Sequence, residues 1–283
     1  MKRTFYFILI MLCFQSNLWA QTFDLSDELD EISGLEMLND STFVALNDGG
    51  HEATLYLLNI RGKIIKKVKI ENAKNVDWED IAVDDKNIYI ADVGNNTNKR
   101  KDLLIYKVSI KKVLEKKEVE AKKIKIKYKE QKEYPPKKGN MRFDAEAITV
   151  YNDSIFLFTK NRSNPTDGRS WVYKFSTSAG EYKLKKKHEI FIGRGGFWKD
   201  AVTAVDVKGN DFYISTYNRI LKRTYADGFF TGSTEMEYNR LSQKESLVII
   251  ENGGIVVADE KQVLFGGPKL YYLEPKFVSK SKD

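Results

Sequence analysis

The sequence predicts an all-β protein, a single β-propeller with five four-stranded blades, or six. Four segments repeat one pattern: a polar or acidic residue, a short apolar strand, a tight Asn/Asp/Gly turn and a second strand with a polar end. These segments begin at Glu79, Glu146, Thr203 and Glu245, and a looser copy begins at Glu31. Self-similarity with a period of about 40 to 65 residues is typical of a propeller or an array.

Each unit continues beyond its first hairpin. A third strand, aromatic in four of the units, is expected at 55–57, 105–108, 171–175, 220–223 and 270–273. More polar fourth strands follow in three units, at 64–70, 122–128 and 183–191. The enrichment of β-branched and aromatic residues between clusters of turn residues supports these strands.

The fifth unit has no clear fourth strand of its own after Pro275. Residues 21–25 alternate apolar and polar side chains, and we expect them to supply that strand. Pairing the N-terminal segment with the last blade would close the ring and hide two sheet edges. Residues 21–283 are therefore expected to form one propeller domain.

Residues 1–20 have the pattern of a secretory signal peptide. Lys2 and Arg3 precede an apolar run at 5–14, and Ala20 supplies the small residue before a cleavage point. We expect an exported protein, periplasmic or extracellular, and no transmembrane segment follows in the sequence. Cys13 is the only cysteine and would leave with the signal peptide, which excludes disulfides, thiolate catalysis and cysteine metal sites.

The formal net charge of +7 is concentrated in one segment. Residues 111–138 hold twelve Lys and five Glu, a local charge of +7. A nucleic acid or an anionic membrane could bind such a segment. Its alternation of lysine and apolar residues at 123–128 instead favours an exposed outer strand, preceded by a mobile charged lead-in, with lysine guarding the edge. We predict no nucleic-acid partner, and a monomer.

Propeller geometry places the start of each first strand and the end of each second strand on one face, near the axis. Carboxylates gathered there repel one another unless a cation or a basic side chain compensates them. Carboxylate and amide oxygens suit Ca²⁺ or Mg²⁺, and Ca²⁺ is the expected cofactor if a metal is bound. The expected axial residues are Glu31, Glu79, Asp80, Glu146, Thr203 and Glu245 with Asp48, Asp92, Lys160, Thr216 and Asp259.

From this set and its neighbouring loops we predict two groups of site residues. The predicted metal ligands are Asp48, Glu79, Asn95, Asn96 and Glu146. The predicted ligand-binding residues are Trp78, Asp92, Lys160, Thr203 and Glu245. A structural alternative remains open, in which each Glu accepts backbone N–H groups from the neighbouring blade.

Motifs of common enzymes are absent from the sequence. There is no Gly-x-Ser-x-Gly, no His-Glu-x-x-His and no P-loop. His51 follows the acidic Asp48 loop and is the candidate catalytic base, whereas His188 lies in a lysine-rich strand and has no expected role. Trp78 and Trp198 adjoin first strands, where either could stack on a ligand or pack between blades.

The motif at 77–82, DWEDIA, is followed by Ile90–Asn96 and Arg100, and this arrangement resembles the DWEDIA…DIGDN…R pattern of exported bacterial propellers of unassigned function. The match continues at 144–147, 202–206 and 245–247. The group is similar to SdiA-regulated-type proteins and, more distantly, to calcium-dependent lactonase and phosphotriesterase propellers and to the esterase-like phytase domain.

The distant enzymes imply an axial calcium, for which Glu79, Glu146 and the pair Asn95 and Asn96 would correspond. Asn95 stands where the family usually has Asp, which lowers the local charge, and Thr203 stands where other units carry Glu. The sequence thus favours a propeller that binds a small-molecule or extracellular ligand at its channel mouth through a divalent cation. A calcium-dependent hydrolase acting on phosphate esters or lactones, and a protein-interaction platform, are the alternatives.

Overall fold

The computed structural model describes residues 19–238, 242–262 and 266–279. In chain order, β1 (Trp19–Asp24) comes first, and blade 1 follows with β2 (Ile32–Asn39), β3 (Thr42–Asn47), β4 (Thr54–Asn59) and β5 (Ile64–Ile70). Blade 2 contains β6 (Trp78–Val83), β7 (Asn87–Asp92), β8 (Leu104–Ser109) and, after α1 (Ile110–Glu115) and β9 (Glu118–Val119), β10 (Lys122–Tyr128).

Blade 3 contains β11 (Asp144–Tyr151), β12 (Ser154–Lys160), β13 (Arg169–Ser176) and, after β14 (Gly180–Leu184), β15 (Lys186–Phe191). The short helix α2 (Phe197–Asp200) leads into blade 4, which contains β16 (Val202–Lys208), β17 (Asp211–Thr216), β18 (Arg219–Ala226) and β19 (Phe229–Glu237). Blade 5 contains β20 (Lys244–Ile249), β21 (Ile255–Asp259) and β22 (Lys269–Leu273), and β23 (Val278–Ser279) ends the described chain. Single 3₁₀ turns lie at Asp27–Leu29 and Lys138–Asn140.

The five sheets form a closed five-bladed β-propeller, as the repeat predicts. The innermost strands β2, β6, β11, β16 and β20 each contact the inner strands of both neighbouring blades, and β20 contacts β2. The expected closure is confirmed, because β1 pairs antiparallel with β22, with Phe23 opposite Leu270. Five units therefore account for the ring, and no sixth blade is formed by the described residues.

The hydrophobic core is divided among the blade interfaces. Five clusters of buried apolar side chains each combine residues from two adjacent blades. Trp78 at the start of β6, for example, packs with Leu46 of β3 and Tyr106 of β8. Because the side chains of a strand alternate between its two faces, every middle strand contributes to the clusters on both sides of its blade.

Two outer segments differ from the sequence prediction. The expected strand at 183–191 is split: Gly180–Leu184 pairs in parallel with β10 of blade 2, and only Lys186–Phe191 is the outer strand of blade 3. Its Leu184 is buried in the cluster between blades 2 and 3, so the segment covers the edge of β10. The charged lead-in expected to be mobile forms α1 and β9, because Val113 and Val119 are buried against blade 1.

Most of the predicted signal peptide lies outside the described residues, which begin at Trp19. Within the part of the chain that the structure describes, no helix is long and apolar enough to cross a membrane.

The lysine-rich segment gives a first test of the fold. Lys111, Lys112, Lys116 and Lys117 are exposed, so replacing all four by Gln should change the free energy of unfolding by less than about 0.5 kcal/mol per site. Chemical denaturation measures the stability, and electrophoretic mobility shift checks nucleic-acid binding. Submicromolar DNA binding by the wild type that the variant loses would contradict the assignment of this segment as a solvated edge.

Candidate functional site

A β-bulge near the start of each inner strand frees one residue from the pairing with the second strand, and in four of the five blades this residue lines the central cavity. In all five blades the pairing of the first two strands skips a single residue near its beginning. The skipped residues are Ser33, Glu79, Glu146, Thr203 and Glu245. Four of them are the residues at which the sequence repeat begins. A bulge frees one residue from the ladder and redirects its side chain, which is a recurrent device beside functional sites.

These bulges surround a polar cavity of about 370 Å³ at the channel mouth. Its walls contain six carboxylates and two basic side chains, a formal charge of −4 if all are ionised. The lining residues are Glu31, Ser33, Asp48, Gly49, Glu79, Asn96, Glu146, Lys160, Arg162, Tyr217, Gln243, Glu245 and Glu260. Several predicted site residues from distant parts of the chain thus meet in one place.

Two groups of three carboxylates could hold a metal ion, and Glu79 belongs to both. One group is Asp48, Asp77 and Glu79, and the other is Glu79, Asp144 and Glu146. Within each group, one oxygen per residue lies within 4.8 Å of the others. Oxygens bound to one cation at about 2.4 Å can be at most about 4.8 Å apart, so both groups are compact enough for their oxygens to share one cation.

Gly94 makes room for the first group. A Cβ on Gly94 would overlap Glu79 Oε1 and lie 2.6 Å from Asp77 Oδ2. Any other residue at this position would therefore push the two carboxylates out of place. This glycine belongs to the sequence motif at 90–96, and its close approach to both side chains is a physical reason for glycine there.

The second group already has basic partners. Lys160 Nζ donates to Glu146 Oε2 at 2.9 Å, and Arg162 Nη2 donates to Glu146 Oε1 at 3.1 Å. Arg162 Nε also donates to Asp144 Oδ2. Lys160 and Glu146 are each about 5% exposed, so this is a buried ion pair at the base of the cavity.

The electrostatics differ accordingly between the two groups. Burial raises the pKa of Asp48 to about 7, although the N–H of Gly49 opposes the rise. Burial, together with the charge of Glu146, raises the pKa of Glu79 well above its usual value. Within the described residues, neither Asp48 nor Glu79 forms an ion pair with a basic side chain. These two carboxyl groups therefore lack a basic partner and tend to hold protons, and a bound cation would stabilise their ionised forms.

Glu146 behaves in the opposite way. Its burial opposes ionisation, but the charges of Lys160 and Arg162 outweigh burial and lower its pKa to about 2. Burial opposes the charge of Lys160 in turn, but the negative charge of Glu146 outweighs burial and raises the pKa of Lys160 well above the usual lysine value. Glu146 is thus ionised at neutral pH and bound by two cationic side chains.

Two further acids line the same cavity. Burial raises the pKa of Glu245 to about 7, although Lys160 opposes the rise. Burial and the charge of Glu245 raise the pKa of Glu260 to about 9. Glu260 accepts a hydrogen bond from Gln243 Nε2 at 2.7 Å. Acids that hold protons near neutral pH inside a pocket are a common property of functional sites.

The predicted structural use of carboxylates belongs to Asp residues rather than to the Glu residues. Asp144 is one of them, because its Oδ1 accepts the N–H of Asn95 at 2.6 Å. Asp80 accepts the N–H groups of Ile81 and Ile148, both at 2.8 Å, and so joins blade 2 to blade 3. Asp206 likewise accepts the N–H groups of Val207 and Ile249, both at 2.6 Å.

Three predicted ligand-binding residues are placed away from the cavity. Asp92 accepts a hydrogen bond from Arg100 Nη2 at 2.8 Å. Thr203 donates to the carbonyl of Lys244 at 2.6 Å, a link between two inner strands. Trp78 is fully buried and packs 6.0 Å from Tyr106, so packing between blades, and not ligand stacking, is what its geometry supports.

The predicted metal ligands Asn95 and Asn96 separate in the structure. Asn95 is buried, donates to the carbonyl of Phe143 at 3.0 Å and accepts from Arg100 N at 2.9 Å, which leaves it a structural role. Asn96 is exposed and lines the cavity. The candidate base His51 bonds to Glu31 Oε2 at 2.7 Å and touches the site through that partner only.

The charged and aromatic site residues that the sequence does not predict are Asp77, Asp144, Arg162, Tyr217 and Glu260. Tyr217 and Glu260 each follow the last residue of a second strand, in the position that Asp48 occupies in blade 1. The side chains of consecutive strand residues point to opposite sides. Thr216 and Asp259 do not line the cavity, so the residues that follow them, Tyr217 and Glu260, face it. The alternation of side chains is the signal that could have identified them.

No protein-family profile and no curated protein matches the chain. Among solved structures, the chain is similar to glutaminyl cyclase from Myxococcus xanthus, with a TM-score of 0.56 and 11% identity over 92% of this chain and 97% of that one. It is less similar to streptogramin B lyase, with a TM-score of 0.44 and 12% identity over 90% and 96% of the two chains. A WD40 propeller domain of Doa1 has a TM-score of 0.45 and 9% identity over 93% and 98%. Identities this low concern the fold and leave the activity open.

Proposed function

We propose that this protein binds a divalent cation, best Ca²⁺, at Asp48, Asp77 and Glu79, and holds an anionic ligand between that cation and the basic pair Lys160 and Arg162. The observation that carries the proposal is the unequal compensation of the two carboxylate groups that share Glu79. The group of Asp48, Asp77 and Glu79 lacks strong basic partners. In the other group, Arg162 is paired with both Asp144 and Glu146, and Lys160 is paired with Glu146.

The cation belongs to the first group for an electrostatic reason. Three carboxylates at this spacing, one buried and two half-buried, cannot all ionise without a positive charge nearby. Asp77 has only a distant partner, with Arg100 Nη1 4.0 Å from its Oδ2. Glu146 is already neutralised by Lys160 and Arg162, so a divalent ion beside it would add positive charge where two cations already lie.

The basic pair supplies the second half of the site. Arg162 uses Nε and Nη2 on Asp144 and Glu146, and its Nη1 has no hydrogen-bond partner among the described residues. A guanidinium group with a free donor, close to a metal ion, suits the oxygens of a carboxylate or a phosphate. The pocket therefore favours an anion that contacts both Arg162 and the cation.

A hydrolase is the second candidate function, and the position of Glu245 and Glu260 favours it. Both line the same cavity as the carboxylate group. With a pKa of about 7, Glu245 can hold or release a proton near neutral pH, and with a pKa of about 9, Glu260 is protonated there and can act as an acid. Such groups suit general acid and base catalysis. A panel of phosphate esters, lactones and carboxylate esters, assayed with and without Ca²⁺, tests this candidate.

The binding proposal predicts a calcium effect that depends on pH. The pKa of Asp48 is about 7 in the folded protein and about 4 in an unfolded chain, so without calcium the folded state binds more protons between these values. Stability should then fall as the pH rises from about 4 to 7, and calcium should displace the protons. We expect calcium to bind at least about tenfold more tightly at pH 7.5 than at pH 5.5.

Isothermal titration calorimetry at the two pH values measures this difference, and proton release in buffers of different ionisation enthalpy confirms the displacement. Methylphosphonate, a small anion that cannot be hydrolysed as an ester, is then titrated into the protein with saturating calcium. Absence of calcium binding at both pH values, or methylphosphonate binding that is unchanged in Arg162→Gln, would contradict the proposal.

A further inference from the structure

The helix α2 carries two adjacent aromatic side chains at the rim of the site. Trp198 is 66% exposed, and its ring lies 5.8 Å from that of Tyr217, a residue of the cavity wall. Phe197 lies 5.4 Å from the guanidinium carbon of Arg162, on the same wall. The aromatic pair therefore flanks the basic side of the cavity.

A buried ion pair holds α2 in place. Arg219 Nη2 donates to Asp200 Oδ1 at 2.9 Å, and Nη1 donates to the carbonyl of Lys199 at 2.7 Å. Asp200 also accepts the N–H of Gly195 at 2.6 Å. The side chains of Arg219 and Asp200 are 6% and 4% exposed. A buried pair of this kind adds little net stability, and its effect here is to fix the geometry of the segment that presents Trp198.

The loop before α2 is built around the same pair. A Cβ on Gly193 would overlap Asp200 Oδ1 and lie 2.7 Å from Arg219 Nη2, and Gly196 has a φ of 83°. Two glycines and a buried ion pair thus hold a largely exposed tryptophan at the edge of a polar cavity. A single exposed apolar residue is ordinary on a protein surface, but an aromatic ring fixed beside a pocket is a stacking surface for a ligand.

We propose that the ligand is a ring-bearing organic anion, whose ring stacks on Trp198 while its acidic group contacts Arg162 and the cation. This inference rests on the proposed function and specifies its ligand. Arg162 and Lys160, which line the cavity beside this aromatic pair, favour an anionic group over a cationic one. The residues that line the cavity are almost entirely polar. Trp198 is therefore the surface on which the flat face of the ligand's ring would stack.

Two pairs of small anions test whether the ligand carries a ring. Phenylphosphonate is compared with methylphosphonate, and glucuronate with acetate, so that the two pairs distinguish an aromatic ring from a sugar ring. With saturating calcium, the ring-bearing member of at least one pair should bind the wild type about three- to tenfold more tightly, the range that aromatic stacking gives. Trp198→Ala should abolish that preference and leave methylphosphonate binding unchanged.

Phe229→Ala is the matched control, because Phe229 is 68% exposed and lies at the opposite end of blade 4, in the hairpin beside Asn210. Acrylamide quenching of tryptophan fluorescence adds a direct readout: the ring-bearing probe should shield Trp198 in the wild type, because Trp198 is 66% exposed, whereas Trp171 is half-buried and Trp78 is buried. A ring preference that is absent from both pairs, or that survives in Trp198→Ala, would overturn the inference. If methylphosphonate binds with calcium while no ring preference exists, the proposed function stands and only the inference fails.

Discussion

Replacing Asp77 by Asn should abolish the stabilisation of this protein by calcium while leaving the calcium-free protein as stable as the wild type. The change removes one of three carboxylates that converge on the expected cation and keeps the shape of the side chain. Calcium at about 100 times its dissociation constant should add about 2.7 kcal/mol to the wild type, which corresponds to roughly 5–10 °C in melting temperature. Thermal melts with chelator and with calcium measure both effects.

Glu146→Gln is the informative comparison, because sequence reasoning had placed Glu79 and Glu146 on one cation. In the structure Glu146 is the buried partner of Lys160 and Arg162, and breaking such a pair costs about 3–5 kcal/mol. We therefore expect Glu146→Gln to lower the melting temperature equally with chelator and with calcium. The reverse result, in which Glu146→Gln loses the calcium effect and Asp77→Asn keeps it, would place the cation in the second carboxylate group.

The repeat in the sequence identifies the bulged position of the inner strand in four of the five blades. Glu79, Glu146, Thr203 and Glu245 were selected because each begins a repeat, and each is the bulged residue of its blade. In blade 1 the prediction chose Glu31, whereas the bulged residue is Ser33. The looser copy has Ser33, not an acid, at the equivalent position. Glu31 is the nearest acidic residue, but it lies two positions earlier in the strand register.

The pairing of charges could not be read from the repeat. Equivalent positions in different blades have different neighbours, so Glu79 is left uncompensated and Glu146 is bound by Lys160 and Arg162. Arg162 lies beyond the end of β12, in a loop whose path depends on tertiary contacts such as its N–H to the carbonyl of Met141 at 3.0 Å. The period of the repeat predicts which residues face the axis. The positions of loop residues such as Arg162 determine which of those carboxylates has a basic partner.

Removing the closing strand should destabilise the protein more than any single substitution on its surface. A chain that begins at Leu25 lacks β1, which pairs with β22 from Gln21 to Asp24 and places Phe23 6.0 Å from Tyr272. The loss of several ladder hydrogen bonds at about 1 kcal/mol each, and of this packing, should amount to roughly 3–5 kcal/mol. That corresponds to a fall in melting temperature of about 10 °C or more, measured by circular dichroism.

A truncation after Phe277 is the matched control, because it removes β23, a two-residue strand added to the outer edge of blade 4 that takes no part in closing the ring. Its effect should stay below about 1 kcal/mol. If β1 acts by covering the edge of β22, a synthetic peptide of residues 19–26 should restore part of the lost melting temperature in the shortened chain. An unchanged melting temperature on removal of β1 would mean that the contacts among β2, β6, β11, β16 and β20 close the ring without it. Rescue by the peptide would show that this edge is held by pairing alone, because the peptide supplies the strand without the covalent link to blade 1.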